Sequence, residues 1–189
     1  MKKTLLLTLA LGLAGASSLL AGTVDVYLTG STAFRSQVYS ACTKLFTTPP
    51  SIWYGDANHG GASSGFSSGT AAWCMTGTPI TGLTNLQGNT LTIHGLFTGS
   101  IQGIQTVEES VLLTFTAPHS GNTGAGGLTD TYVTNTPTLA FSDASGSSAG
   151  YTATGNYAEE QVCVQPFVMA KSQSPNPIMA SINLSLIHI

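Results

Sequence analysis

The chain has 189 residues, of which 7% are charged and 42% are hydrophobic, and its formal net charge is −3. With five Lys and Arg residues in all, the composition excludes a nucleic-acid-binding surface, because phosphate backbones are bound by clustered basic side chains. The low charge combined with ample apolar residues also argues against intrinsic disorder, and the length suits one domain with a sizeable core.

Residues 1–21 read as a secretory signal peptide. Lys2 and Lys3 precede the apolar run "TLLLTLALGLAGA", and small residues follow it. The run is shorter than the ~20 residues that a membrane-spanning helix needs. We therefore expect cleavage and a periplasmic or secreted protein, whose remaining three basic and eight acidic residues have a formal charge of −5.

The three cysteines, Cys42, Cys74 and Cys163, are an odd number. At least one of them must therefore stay free or pair with another molecule. Export permits a Cys42–Cys74 disulfide, but the apolar surroundings of Cys42 and Cys163 favour buried thiols.

The first predicted unit is a strand, a polar turn and a helix. In "TVDVYLT", the residues Val24, Val26 and Leu28 lie on one face of a strand. The helix that follows the turn "GST" ends before "TTPP". Its predicted apolar stripe consists of Phe34, Val38, Ala41, Cys42 and Leu45.

Residues 48–82 are rich in Gly and Ser, and we expect a long loop there without a core element of its own. Its aromatic residues either attach the loop to the domain or form a contact surface. They are Trp53, Tyr54, Phe66 and Trp73.

A second unit comprises the strand "NTLTIHGLF" and a short helix in "TGSIQGIQTVEES". His94 lies within the strand and is expected to be structural. Thr98 or Ser100 would cap the helix. Its inward residues would be Ile101, Ile104 and Val107.

The run "VLLTFTA" predicts another strand, and residues 118–135 predict a second glycine-rich loop. A third unit then ends the strand "TPTLAF" in the polar turn "SDASGSS", and "EEQVCVQPFVMAKS" contains an apolar strand. Strands that alternate with helices indicate a largely parallel α/β sheet. All three polar turns lie at carboxyl ends of strands, where open α/β sheets bind ligands.

Neither metal nor hydrolase chemistry is indicated. The four histidines, at positions 59, 94, 119 and 188, lack metal-ligand spacing, and the chain has no G-x-S-x-G nucleophile motif. We expect no metal, no cofactor and no enzymatic activity.

The segments "LTGSTAF", "TGSIQGIQTV" and "LAFSDAS" occur in order and resemble the phosphate-binding proteins of ABC transporters. The resemblance implies the type II periplasmic-binding-protein fold, here mostly its first lobe with long Gly/Ser-rich loop insertions. It covers roughly residues 24–183 and includes "VQPFVMAK", which is similar to the strand that crosses between the lobes.

The resemblance also implies ligand-binding roles for the three turns. Hydroxyls and helix-start amides would bind the oxyanion, and Asp143 would accept a hydrogen bond from it. A carboxylate selects a protonated oxyanion such as monohydrogen phosphate, because sulfate has no proton to donate. The implied oxyanion-binding residues are Ser31, Thr32, Ala33, Phe34, Gly99, Ser100 and Asp143.

Local structure offers another interpretation of the same residues. Ser and Thr before a helix serve as caps, and Asp143 could simply stabilise a turn through its own backbone. Arg35 could contact the anion, although exposure to solvent is the commoner role.

The domain prediction follows the resemblance. Residues 22–171 would form the first lobe, including the crossing strand, and residues 172–183 would begin the second. The family's arginine and further Ser-Gly-Thr turn from the second lobe have no counterpart after Lys171. Residues 184–189, "LSLIHI", match a translated sequencing adapter, although they could also form a short strand.

These features together predict an exported protein that captures phosphate or a similar oxyanion and delivers it to an ABC permease in the inner membrane. It would bind without chemistry, by hydroxyls and helix N-termini, and close about a hinge between two lobes. The alternative is a secreted surface or matrix protein that reuses the fold without a transport role.

Overall fold

The computed structural model describes residues 21–55, 69–119, 131–150 and 158–160, and the backbone of residues 125–129. Contacts divide the chain into a unit Met1–Glu159 and a unit Glu160–Ile189, and the elements below belong to the first. The predictions for residues 1–20, for Phe66 and Cys163, and for the chain after Glu160 lie outside the described residues.

The fold is mixed α/β. Its main sheet has six described strands in the order β6-β2-β3-β4-β1-β8, and β5 and β7 form a separate two-stranded sheet. The strands are β1 (Thr23–Gly30), β2 (Ser51–Gly55), β3 (Ala72–Gly77), β4 (Thr90–Leu96), β5 (Leu113–Thr116), β6 (Ala125–Thr129), β7 (Tyr132–Asn135) and β8 (Leu139–Phe141). The helices are α1 (Arg35–Thr43) and α2 (Ser100–Glu108), with 3-10 turns at Thr84–Leu86 and Ser147–Ala149.

The main sheet is mixed rather than largely parallel. Strand β1 pairs in parallel with β4 on one side and with β8 on the other. Strand β3, however, pairs antiparallel with both β2 and β4. The prediction of a largely parallel sheet is therefore correct for the half that contains β4, β1 and β8, and wrong for the centre.

The two regions predicted as loops contain strands. Strands β2 and β3 lie within residues 48–82, and Trp53, Tyr54 and Trp73 are buried there, with Trp73 wholly inaccessible. Strands β6 and β7 lie within residues 118–135. The expectation of loops was wrong because the strands are short, and the Gly- and Ser-rich segments beside them dominate the composition of both regions.

Alternation along the strands separates two sheet faces. One face carries Leu28, Ile93 and Trp73, which pack with Val38 and Cys42 of α1 in the main hydrophobic cluster. The other carries Tyr27 and His94, whose rings contact Phe115 of β5. The separate β5–β7 sheet therefore covers the second face.

The apolar stripe of α1 is confirmed at Val38 and Cys42, which are buried, and at Phe34 and Leu45, which pack against the cluster. Ala41 is exposed, contrary to expectation. Cys42 and Cys74 are both free and buried, so no disulfide joins them.

Helix α2 also differs from its predicted packing. Ile104 is buried, whereas Ile101 is 53% exposed and does not face inward. The N-cap is Gly99 without any side-chain cap, so neither Thr98 nor Ser100 caps the helix. Among the described helices, none has the length and apolar character to cross a membrane.

Candidate functional site

Backbone contacts hold the turn after β1 against the end of β8. Gly30 has φ 126°, and a Cβ there would lie 1.9 Å from the carbonyl oxygen of Phe141. The next amide, that of Ser31, donates to the same carbonyl at 2.7 Å. Only glycine allows this approach together with a positive φ. The first predicted turn is therefore held against the third strand end by its backbone.

The same turn is joined to the start of α2. The amide of Gly99 donates to the carbonyl of Gly30 at 2.9 Å. One helical turn later, a Cβ at Gly103 would lie 2.6 Å from the Cα of Gly30 and 3.4 Å from the Cβ of Ala140. A glycine at position 103 thus lets α2 lie directly on the ends of β1 and β8.

The start of α2 has amides without helical acceptors. The first intrahelical bond runs from the amide of Gly103 to the carbonyl of Gly99, at 2.9 Å. The amides of Ser100, Ile101 and Gln102 precede it, and no side chain caps this end. Unpaired amides and the helix dipole make such an end electropositive.

The hydroxyl of Ser100 donates a hydrogen bond to a carboxylate oxygen of Asp143. Asp143 lies two residues beyond β8, in a turn held by Ser142, whose hydroxyl accepts from the amide of Ala144 at 3.0 Å and donates to its carbonyl at 2.7 Å. The second and third turns therefore meet through their side chains. Asp143 is exposed, and Ser100 is partly exposed.

Within the first turn, most of the expected donors are occupied. The Ser31 hydroxyl, 3% exposed, accepts from the amide of Ala33 at 3.2 Å, and the Ser31 carbonyl accepts from the amide of Phe34 at 3.2 Å. Thr32 is exposed and has no hydrogen bond within the described residues. The first turn thus exposes Thr32, whereas Ser31 is buried and its hydroxyl hydrogen is not used in the contact with Ala33.

The structure accordingly brings together Ser31, Gly99, Ser100 and Asp143 at one edge of the sheet. Thr32 and Ala33 lie on the exposed side of the first turn, and the half-buried Phe34 packs against the core. We call the set Ser31, Thr32, Gly99, Ser100 and Asp143 the rim.

Sequence reasoning did not identify Gly103 or Phe141 as parts of this arrangement. A glycine inside a helix lowers helix stability by about 1 kcal/mol relative to alanine. This unfavourable residue within the predicted helix was the sequence feature that could have pointed to Gly103. Phe141 takes part through its backbone carbonyl oxygen, so the identity of its side chain gives no indication of this contact.

The rim has no basic side chain among its members, and Arg35 forms no ion pair within the described residues. In the same part of the chain, no group of three or more His, Cys, Asp or Glu side chains could hold a metal ion. An anion at the rim would therefore be bound by neutral donors and by the dipole of α2.

The chain matches no protein-family model, no curated protein and no solved structure at a significant level.

Proposed function

We propose that the rim binds a protonated oxyanion, with phosphate the leading candidate, as part of an exported solute-binding protein of an ABC transporter. The observation that carries the proposal is the convergence of three chain segments: the turn after β1, the start of α2 and the turn after β8. Helix starts and hydroxyls at the carboxyl ends of strands are suited to anions.

The rim offers hydrogen-bond donors to an anion and one acceptor, Asp143, to the proton of a protonated anion. The uncapped amides of α2 and the hydroxyls of Ser31 and Thr32 can donate to an anion, whereas the Ser100 hydroxyl donates to Asp143. The Asp143 carboxylate can only accept when ionised. A fully deprotonated anion would repel it, whereas monohydrogen phosphate or arsenate can donate to it, so Asp143 supports discrimination against sulfate.

The contact between Ser100 and Asp143 suits this role. It gives the hydroxyl hydrogen of Ser100 an acceptor and orients the carboxylate, whose remaining acceptor capacity can receive the ligand proton. With a net negative chain, long-range attraction does not draw the anion in. Short-range hydrogen bonds, which are stronger when one partner is charged, must supply the affinity.

The transport role is supported by the resemblance of the three turn segments to phosphate-binding proteins and by the signal peptide predicted at residues 1–21. On this proposal the described unit corresponds to the first lobe of a periplasmic-binding-protein-like fold, and an inner-membrane ABC permease receives the ligand.

The test is calorimetric titration of the full chain with phosphate, arsenate and sulfate. We expect saturable binding of phosphate and arsenate. The affinity for sulfate should be at least about tenfold lower, because sulfate cannot form the hydrogen bond to Asp143, and a hydrogen bond to a charged group contributes about 1.5–3 kcal/mol. Asp143→Ala should abolish the discrimination. Glu109→Ala is the matched control, because it removes an exposed carboxylate from the opposite end of α2.

A chain that binds none of the three anions contradicts the proposal, and so does an Asp143→Ala variant with unchanged selectivity. Adhesion to cells or polymers without anion binding would instead support a surface or matrix protein. Turnover of a phosphoester would contradict a role limited to binding.

A further inference from the structure

The turn after β8, which carries Asp143 to the rim, is shaped by hydrogen bonds between near neighbours. The Ser142 hydroxyl bonds to both the amide and the carbonyl of Ala144. The Ser145 hydroxyl accepts from the amide of Ser148 at 3.2 Å. These bonds span at most three residues, so they define the shape of the turn but not its position relative to α2.

Two hydrogen bonds within the described part of the chain attach residues 142–150 to more distant residues. In one, Asp143 accepts from the Ser100 hydroxyl. In the other, the amide of Gly146 donates to a carboxylate oxygen of Glu159, 13 residues further along the chain. Since Gly146 follows Asp143 by only three residues, the second contact acts on the same short turn as the first.

The amide of Gly146 depends on Glu159 for its hydrogen bond. Gly146 is buried, and its amide has no backbone acceptor within the described residues. A buried amide without a partner is unfavourable, whereas the exposed Glu159 side chain would be well solvated without this contact. The contact therefore favours the position of the turn in which the amide reaches the carboxylate, and a charged acceptor strengthens the bond.

We propose that Glu159 is a positioning residue for the rim. By accepting from Gly146, it holds the turn after β8 where Asp143 meets the Ser100 hydroxyl. Without Glu159, the turn keeps its local shape, but within the described residues the Ser100 contact alone attaches it beyond β8. Asp143 then also takes positions in which it cannot accept the proton of an anion at the rim. The effect on anion selectivity rests on the proposed function, whereas the effect on the contact between Ser100 and Asp143 does not.

Three single substitutions separate this role from a general effect of charge. Glu159→Ala removes the acceptor. Glu159→Gln removes the charge but keeps an amide oxygen that can accept from Gly146. Glu160→Ala is the matched control, because it removes one carboxylate from the next residue, which is also exposed.

The first test is carbon NMR of the Asp143 carboxyl group in the full chain without added anion, with and without Ser100→Ala. In the unmodified protein, in Glu159→Gln and in Glu160→Ala, loss of the Ser100 hydroxyl should shift the Asp143 resonance. In Glu159→Ala this shift should be at least about twofold smaller, because the contact is already weakened. Equal shifts in Glu159→Ala and in the unmodified protein would overturn the proposal.

The second test measures selectivity by competition titration of phosphate against sulfate. Glu159→Ala should lower the ratio of phosphate to sulfate affinity at least about threefold, since the lost hydrogen bond has a charged acceptor. Glu159→Gln should restore most of the ratio. A contact that merely stabilises the fold would weaken both anions equally and leave the ratio unchanged. An unchanged ratio in Glu159→Ala, with phosphate still selected over sulfate, would overturn the proposal but not the proposed function.

Hydrogen exchange of the Gly146 amide checks the contact with Glu159 itself. This amide should exchange slowly in the unmodified protein, in Glu159→Gln and in the control, and at least about tenfold faster in Glu159→Ala. Fast exchange in the unmodified protein would overturn the proposal. A chain that binds neither anion would contradict the proposed function instead, and the carbon NMR and exchange results would still decide the role of Glu159.

Discussion

The hydroxyl of Ser100 donates to the carboxylate of Asp143, a residue 43 positions further along the chain. The contact joins the first residue of α2 to the turn after β8, and the backbone of Gly30 connects both to the end of β1. Each of these segments alone is an ordinary turn or helix start. Their contacts bring these three segments together at one edge of the sheet.

Asp143→Asn should change which anion the rim prefers. The carboxamide keeps an acceptor oxygen but adds a donor, so it can bond to a fully deprotonated oxyanion. We expect the ratio of phosphate to sulfate affinity to fall by about tenfold or more, since one hydrogen bond to a charged group contributes about 1.5–3 kcal/mol. Competition titrations with both anions measure this ratio, and an unchanged ratio would remove Asp143 from the binding site.

Gly103→Ala should both destabilise the protein and weaken anion binding. The added methyl group would meet the Cα of Gly30 at 2.6 Å and must push α2 away from β1, which displaces Ser100 from Asp143. We expect a cost of about 1–3 kcal/mol in the free energy of unfolding, as for other overpacked sites.

Gly82→Ala provides the matched control for that substitution. A Cβ at Gly82 would have only the Cδ1 of Ile80 nearby, at 4.0 Å, so the change should leave stability within about 0.5–1 kcal/mol of the original. Urea unfolding and phosphate titration of both variants test the idea. Equal effects of the two substitutions would show that the close approach of α2 to Gly30 is unimportant.

The thiols of Cys42 and Cys74 should be inert in the folded protein. Both are buried and free, and burial raises the pKa of Cys42 to about 11 and raises that of Cys74 as well. In a Cys163→Ser variant at pH 7.5, an aromatic disulfide reagent should therefore detect no rapidly reacting thiol, and two thiols after denaturation in urea. No thiol in urea would indicate a disulfide, and fast reaction in the native state would contradict the burial.

Stability should also decline at strongly alkaline pH because of Cys42. Its folded-state pKa of about 11 exceeds the ordinary value of 9.0. Below pH 9 the thiol is protonated in both states, so its contribution is fully present. As pH rises towards 11, the unfolded chain ionises first and stability falls.

Cys42→Ala should reduce that decline by up to roughly 2 kcal/mol between pH 9 and 11. The remaining decline is expected from Cys74 and from Tyr39, whose pKa is raised by burial and by its hydrogen bond to Tyr54 at 2.7 Å. Urea unfolding at successive pH values measures the difference. Parallel pH profiles for the variant and the unmodified chain would contradict a buried, neutral Cys42.

Several elements could be predicted because their sequence signals are local. Alternating apolar residues predict β1 and β4, and the polar turns after β1 and β8 follow from Gly, Ser and Asp at strand ends. The buried stripe of α1 is readable at Val38 and Cys42 because helical spacing is a property of neighbouring residues. These patterns were sufficient to place three polar turns at strand ends.

Features that depend on contacts between residues distant in the chain could not be predicted and became visible only in the folded protein. Strands β2 and β3 have nearly continuous burial, so they show no alternation. They are defined by their antiparallel pairing with each other and by their outer neighbours, β6 beside β2 and β4 beside β3. The Ser100 hydroxyl could locally have capped α2, yet it donates to Asp143 because β8 pairs beside β1. Contacts across such separations arise when the whole sheet assembles, and no short stretch of sequence specifies them.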